Sequence, residues 1–239
     1  MIHEYDQDIK RLAEWFADPG NAEPCARFPD DAPDLGSGPG IYAWHGDEAA
    51  NELVVDRLRA ARKGPLYLAR TDRSMNKCIV RDDLRNTKAS TLRRSLAAML
   101  WDELDLRCPA LNTIDEVGDR RLTEWMHEHL SVTVAPISDV LNGPLIEANL
   151  LDDLDPPLNL NRGVCPTPGR KRLRALRRRK LGVTSDDAEW ARGIVALLAA
   201  EASDPGVVVS INRATGKGSR RSRARRPTLW TPADANGGA

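Results

Sequence analysis

The sequence predicts an α+β fold, and three observations carry that reading. Short strand-like runs at Gly40-Ile41-Tyr42-Ala43-Trp44, Pro65 to Arg70 and Val132 to Ile137 are separated by longer stretches with helical spacing of apolar residues. The strands and helices come in mixed order, not in strict alternation. With 239 residues, 41% of them apolar, the chain can bury one sizeable core. No apolar run reaches the roughly 18 residues of a spanning helix. MIHEYDQDIK lacks the basic and apolar blocks of a signal peptide. The four cysteines, Cys25, Cys78, Cys108 and Cys165, form no CxxC pair and read as reduced thiols. A soluble, cytoplasmic protein is the expectation.

The elements follow in order. Tyr5, Ile9, Leu12, Trp15 and Phe16 trace an amphipathic helix that Asp18-Pro19-Gly20 ends. From there to Gly40 the chain is rich in Pro, Asp and Gly and reads as a linker. Ala50, Leu53, Val54, Leu58 and Ala61 define a helix between the first two strands. A weak helix is expected around Cys78 to Leu84, and Ser90 or Thr91 can cap a helix carrying Leu92, Leu96, Met99 and Leu100. Leu122, Trp125, Met126 and Leu130 mark another, which runs into the third strand. Asn142-Gly143-Pro144 opens a helix that ends at Asp155-Pro156-Pro157. Asp186 to Ala202 has a helical pattern and Val207 to Ile211 a strand-like one.

Zero net charge conceals a strong segregation. Residues 1–169 carry a balance of −10, whereas residues 170–226 carry +11. A basic block of that density points to phosphate-rich polyanions, with the protein's own acidic body as a competing partner. The divisions expected are an N-terminal helix and linker over 1–36, a core domain over 37–161, a basic helical extension over 162–211 and a disordered basic tail over 212–239.

Four pieces recur in one order: Gly40-Ile41-Tyr42, Tyr67-Leu68-Ala69, Glu147 within Pro144-Leu145-Ile146-Glu147-Ala148-Asn149, and Asn159 within Pro156-Pro157-Leu158-Asn159. With these the sequence resembles the GIY-YIG nuclease superfamily over about residues 38–161. The resemblance implies a small three-stranded antiparallel sheet flanked by helices, and a metal-dependent endonuclease that hydrolyses DNA phosphodiester bonds with one divalent ion, Mg²⁺ or Mn²⁺. It further implies nucleic acid, DNA foremost, as partner. Two other readings stand beside it: a degenerate nuclease fold that binds nucleic acid without cutting it, and a protein-interaction scaffold.

By the resemblance, Tyr42 and Tyr67 arrange or deprotonate the attacking water, whereas packing alone would make them amphipathic strand residues. Glu147 is the only carboxylate between Asp139 and Asp152 and lies in an apolar stretch, so it needs a partner or a metal, and the resemblance makes it the metal ligand. Two departures stand out. Ala69 replaces a family glycine. The family also has an arginine four residues before a histidine on the helix after the second motif, and aligning Asp83 with that histidine puts Ile79 in the arginine's place. Arg81 is the near substitute assigned to catalysis, with Lys77, Arg70 and Arg93 as other sources of positive charge. Asn159, Arg93, Arg172, Arg177, Arg178 and Arg221 are the expected substrate contacts. His127-Glu128-His129 places its histidines apart on a helix and reads as a helix end.

Overall fold

Helix starts fall where short oxygen-bearing side chains can accept from freed backbone N–H groups. Asp47 accepts from Ala50 N, Ser90 from Arg93 N, Asp115 from Gly118 N and Thr167 from Arg170 N. The computed structural model describes residues 2–25, 35–60, 64–137, 142–160 and 167–182. In chain order the elements are α1 (Ile2–Ala17), β1 (Glu23–Pro24), β2 (Gly40–Gly46), α2 (Glu48–Leu58), β3 (Tyr67–Thr71), a π-helical segment (Lys77–Asp83), α3 (Thr91–Met99), α4 (Glu116–His129), β4 (Leu130–Pro136), α5 (Gly143–Leu154) and α6 (Pro168–Leu181). No helix among the described residues is long and apolar enough to cross a membrane.

The sheet runs β1-β4-β2-β3 with every pair antiparallel. Three strands were expected; the fourth is the two-residue β1, which pairs Glu23 with Val132 from within the stretch read as linker. Residues 26–34 of that stretch lie outside the described residues, as do the expected helix over 186–202, the strand over 207–211 and the whole basic tail.

Register fixes which side chains share a face, because residues directly opposite in an antiparallel pair point the same way. Tyr42 pairs with Ala69 and Val134, and Trp44 with Tyr67 and Val132, so both motif tyrosines lie on one face. Ile41, Ala43, Leu68 and Ala135 take the other, where they pack with Phe16, Leu12 and Ile9 of α1 and with Ile146, Leu150 and Leu151 of α5. The tyrosine face is covered by residues of α2, the π-helical segment, α3, α4 and α6, among them Val54, Ile79, Leu92, Leu96, Met126 and Leu173. β3 is an edge strand, and the side chain of Asn159 takes the role of a neighbouring strand. Its Oδ1 accepts from Leu68 N at 2.9 Å and its Nδ2 donates to Leu68 O at 2.7 Å.

Helix α6 lies across α2 and α3. Its inward stripe is Gly169, Arg170, Leu173, Arg177 and Leu181, all buried, so Pro168–Leu181, within the stretch expected as an extension, contributes to the same core. Its arginines close open helix and turn carbonyls: Arg172 donates to Leu58 O at the end of α2 (3.0 Å), Arg174 to Leu160 O (2.6 Å) and Arg170 to Asn159 O (2.8 Å) and Pro156 O (3.1 Å).

Candidate active site

The first motif is shaped by space. A Cβ on Gly40 would stand 2.7 Å from Ala135 O and collide with the Met75 side chain, so only glycine lets β2 approach β4 and the loop before the π-helical segment this closely. Ala69, which replaces the second motif's glycine, needs no such freedom. It is not among the residues with positive φ, and its methyl packs against the tyrosine-face core. That departure is absorbed by ordinary extended backbone.

Tyr42 is 5% exposed, and its hydroxyl lies against the carboxylate of Asp83. Asp83 comes from the last turn of the π-helical segment, whose wide turn buries Ile79, Val80 and Asp83 together. Two further donors reach that carboxylate: Trp44 Nε1 at 3.1 Å and Ser90 Oγ at 2.6 Å. Burial raises the Asp83 carboxyl to about 6, while its bonds to Ser90, Trp44 and Tyr42 oppose the rise. Burial first, then the neighbouring Asp83 charge, pushes the Tyr42 hydroxyl well above its ordinary value.

Tyr67 is partly buried at the edge strand, and its hydroxyl is likewise raised, chiefly by burial. Asp83 and Glu147 both add to the rise; Arg94 and Arg177 pull against it. One phenol therefore feels charges from the π-helical segment, α3, α5 and α6. Glu147 sits on α5, which covers the opposite face, the face that Arg70 shares with Ile41. There Arg70 Nε donates to Glu147 Oε2 at 3.3 Å, and the guanidinium also pairs with Asp72. Gly143 makes room for this arginine, since a Cβ there would stand 3.1 Å from Arg70 Cδ.

The structure thus puts Tyr42 and Tyr67 on one face of the sheet and Glu147 on the helix that covers the other, with the Glu147 charge acting on Tyr67. It does not place Arg81 with them; that side chain is exposed and pairs with no carboxylate among the described residues. Ile79, in the family arginine's place, is a fully buried core residue. Arg70 supplies a cation at Glu147 instead. Arg93, expected at the substrate, is fully buried. It donates to Leu84 O, to Thr87 Oγ1 (3.1 Å), to Thr123 Oγ1 (3.1 Å) and to Asp119 Oδ1 (2.7 Å), locking α3 to α4 with no surface left for a ligand. Asn159 is spent on the backbone of Leu68, Arg172 is exposed but donates to Leu58 O, and Arg178 is exposed. Arg177 is fully buried in the middle of α6's inward stripe, where its charge acts on Tyr67. Arg221 lies outside the described residues.

Asp83 and its donors Trp44 and Ser90 are absent from the sequence-derived site. The signals available were the alignment of Asp83 with the family histidine, its helical stretch shared with the apolar Ile79, Val80 and Leu84, and Trp44 following Tyr42 at strand period 2. The histidines are occupied elsewhere, His127 against Cys25 O at 3.1 Å and His129 against Asp47 Oδ2 at 2.8 Å. Among the described residues no three His, Cys, Asp or Glu side chains cluster as a metal cage.

The family model described as GIY-YIG catalytic domain matches residues 40–179, which takes in both tyrosines, Asp83, Glu147, Asn159 and nearly all of α6. No curated protein and no solved structure matches the chain.

Proposed function

Because the chain belongs to the GIY-YIG family, a family of nucleases acting on nucleic acid, we propose that it is a metal-dependent endonuclease that hydrolyses DNA phosphodiester bonds. The observation that supports this most is the pairing of the partly exposed Glu147 with Arg70 beside edge strand β3, the strand that also carries Tyr67.

Nucleases of this family generally depend on a divalent metal. Glu147 is a 29% exposed carboxylate that pairs with Arg70, and among the described residues it is not part of a closed cage. That donor set fits an ion that keeps most of its water and takes its other ligands from phosphate, as Mg²⁺ does, and it does not fit the three or four protein ligands of zinc. Glu147 would hold such an ion, which would supply charge neutralisation at the phosphate and a more acidic bound water. Arg70 offers a guanidinium within reach of the same carboxylate, and so can stabilise charge developing on the phosphate oxygens. Tyr42 and Tyr67 are held neutral by burial and enter the site as hydroxyl groups that orient water. Lys171, Arg178 and Arg179 on the outer face of α6 carry positive charge toward solvent, where they can follow the DNA backbone.

In the test, plasmid and branched DNA are incubated with the wild-type protein and Mg²⁺ or Mn²⁺. Nicking or cutting is expected, and Glu147→Ala should abolish it while the circular dichroism and melting temperature stay those of wild type. Equal cutting by the variant removes Glu147 from the site. Binding without cutting by wild type transfers the protein to the degenerate-module reading, which the buried Ile79 would then explain.

A further inference from the structure

The chain that follows β3 carries a row of exposed cations: Arg73, Lys77, Arg81, Arg85 and Lys88. The first four are spaced by four residues and the last by three, which on a helical path returns each side chain to the same side. The other side of those turns buries Ile79, Val80, Asp83 and Leu84. Helical hydrogen bonds run on past Asp83, with Leu84 N donating to Ile79 O at 3.0 Å and Asn86 N to Asp82 O at 3.1 Å, so Arg85 continues the outer side.

An ordinary solvated helix face mixes charges of both signs. From residue 73 to residue 90 the carboxylates are Asp82 and Asp83, and Asp83 is buried. Like charges one turn apart repel one another, so the row costs stability that nothing in the fold returns. The side chains of Arg73, Lys77, Arg81 and Lys88 form no hydrogen bond or ion pair among the described residues. The cations of α6 differ, because Arg170, Arg172 and Arg174 spend theirs on carbonyls of the body. A one-signed, unspent row set into a body of balance −10 calls for a partner that brings regularly spaced negative charge.

The row is held firmly against both motif strands. Met75 N donates to Gly38 O and Asn76 N to Gly36 O, both at 3.2 Å, just ahead of β2, and Cys78 Sγ donates to Thr71 Oγ1 at 3.2 Å at the end of β3. Its near end, Arg73, lies three residues beyond Arg70, the partner of Glu147.

Resting on the endonuclease reading, we propose that this row is a docking surface for the sugar-phosphate backbone of duplex DNA. Its cations meet phosphates and displace their counterions without reading base edges, so the contact is independent of sequence. Arg81, which the sequence assigned to catalysis, thereby serves binding. Because the row starts beside Arg70, a backbone lying on it is led toward the Arg70–Glu147 pair.

Binding of the full chain to a fluorescently labelled duplex is measured by anisotropy in EDTA, where no strand is cut, over a series of salt concentrations. Arg73→Ala, Lys77→Ala and Arg81→Ala together should weaken binding equally on unrelated sequences and flatten the log-log salt slope by up to about 2.7, at roughly 0.9 per lost phosphate contact. Arg73→Lys with Arg81→Lys keeps the charge and should keep the slope. Lys10→Ala with Arg11→Ala removes exposed cations from α1, on the opposite face of the sheet, and should also leave the slope as it is. A triple variant with the wild-type slope, or an α1 variant flattened to the same extent per charge, overturns the docking surface and leaves the endonuclease reading standing. A wild-type protein that neither binds nor cuts DNA overturns both.

Discussion

Asp83 and Glu147 are two carboxylates that bear on the same phenol, Tyr67, from opposite sides of the sheet. Asp83 is roofed by the π-helical segment and α3, is 5% exposed and is surrounded by donors within hydrogen-bonding reach. Glu147 stands at the margin of α5, 29% exposed, with a cation and solvent as neighbours. Burial moves the first toward neutral titration, whereas the second is placed where an ion can reach it. Two carboxyl groups in unlike environments divide labour: one suits proton transfer, the other charge binding. Edge strand β3 lies between the two, since no further strand stands beyond it to separate its faces.

The contrast depends on α6 closing the buried side, and removing its central leucine should break it most severely. Leu173 is fully buried, so Leu173→Ala is expected to cost about 2–5 kcal/mol. Chemical denaturation measures this directly. A loss under 1 kcal/mol would detach α6 from the core and with it the roof over Tyr67.

Next in size is a pH effect confined to Asp83. Its folded-state value, about 6, lies above the ordinary 3.8, so folding favours the protonated form. The associated stability is fully present below about pH 4 and lost as pH rises through about 6, a change of about 3 kcal/mol at 1.36 kcal/mol per unit. Asp83→Asn removes this slope. The melting temperature of the variant relative to wild type should therefore climb between pH 4 and 6.5, and a constant difference would place the titration elsewhere.

Much of the scaffold was legible in the sequence because it is written locally. Alternation at Tyr42 and Trp44 gave a strand, Ser90 and Asn142-Gly143-Pro144 gave helix starts, and the leucines of α3 gave its buried stripe. What was not legible depends on distant partners. The two-residue β1 has no pattern and exists only because β4 offers Val132 and Ser131 as partners. Asp83 gains its meaning from Trp44, 39 residues away, and Arg93 reads as a free cation until Asp119 and Thr123 close on it. In α6 the density of positive charge suggested a basic helical extension; the backbone carbonyls that absorb part of that charge cannot be seen in the sequence.

Arg70 sharpens the comparison from the exposed side. Arg70→Ala should slow cleavage at least about tenfold, because a guanidinium beside a developing oxyanion is worth over 1 kcal/mol. Stability should change by less than about 1 kcal/mol, since the Arg70–Glu147 contact is partly solvated and long for an ion pair. Arg70→Lys tests whether charge alone suffices, and full activity of Arg70→Ala would remove Arg70 from the site.

The smallest effect expected belongs to the outer surface of α6. Arg170, Arg172, Arg174 and Lys180 are engaged with carbonyls or carboxylates of the body, Lys180 with Asp102 at 2.7 Å, and Arg177 is buried. Part of the basic third therefore pairs with the body's own acceptors, the competing partner that charge segregation had indicated. Lys171, Arg178 and Arg179 face solvent. If about six cations of the whole chain meet duplex phosphates, the binding constant should fall with salt at a log-log slope near −5, each contact contributing roughly −0.9. Arg178→Ala with Arg179→Ala should then flatten the slope by up to about 1.8. Truncation after Asn212, which removes seven further cations, should flatten it more. An unchanged slope in the double variant with a flattened one in the truncation would assign the DNA contact to the tail alone, and α6 would then serve only to brace the core.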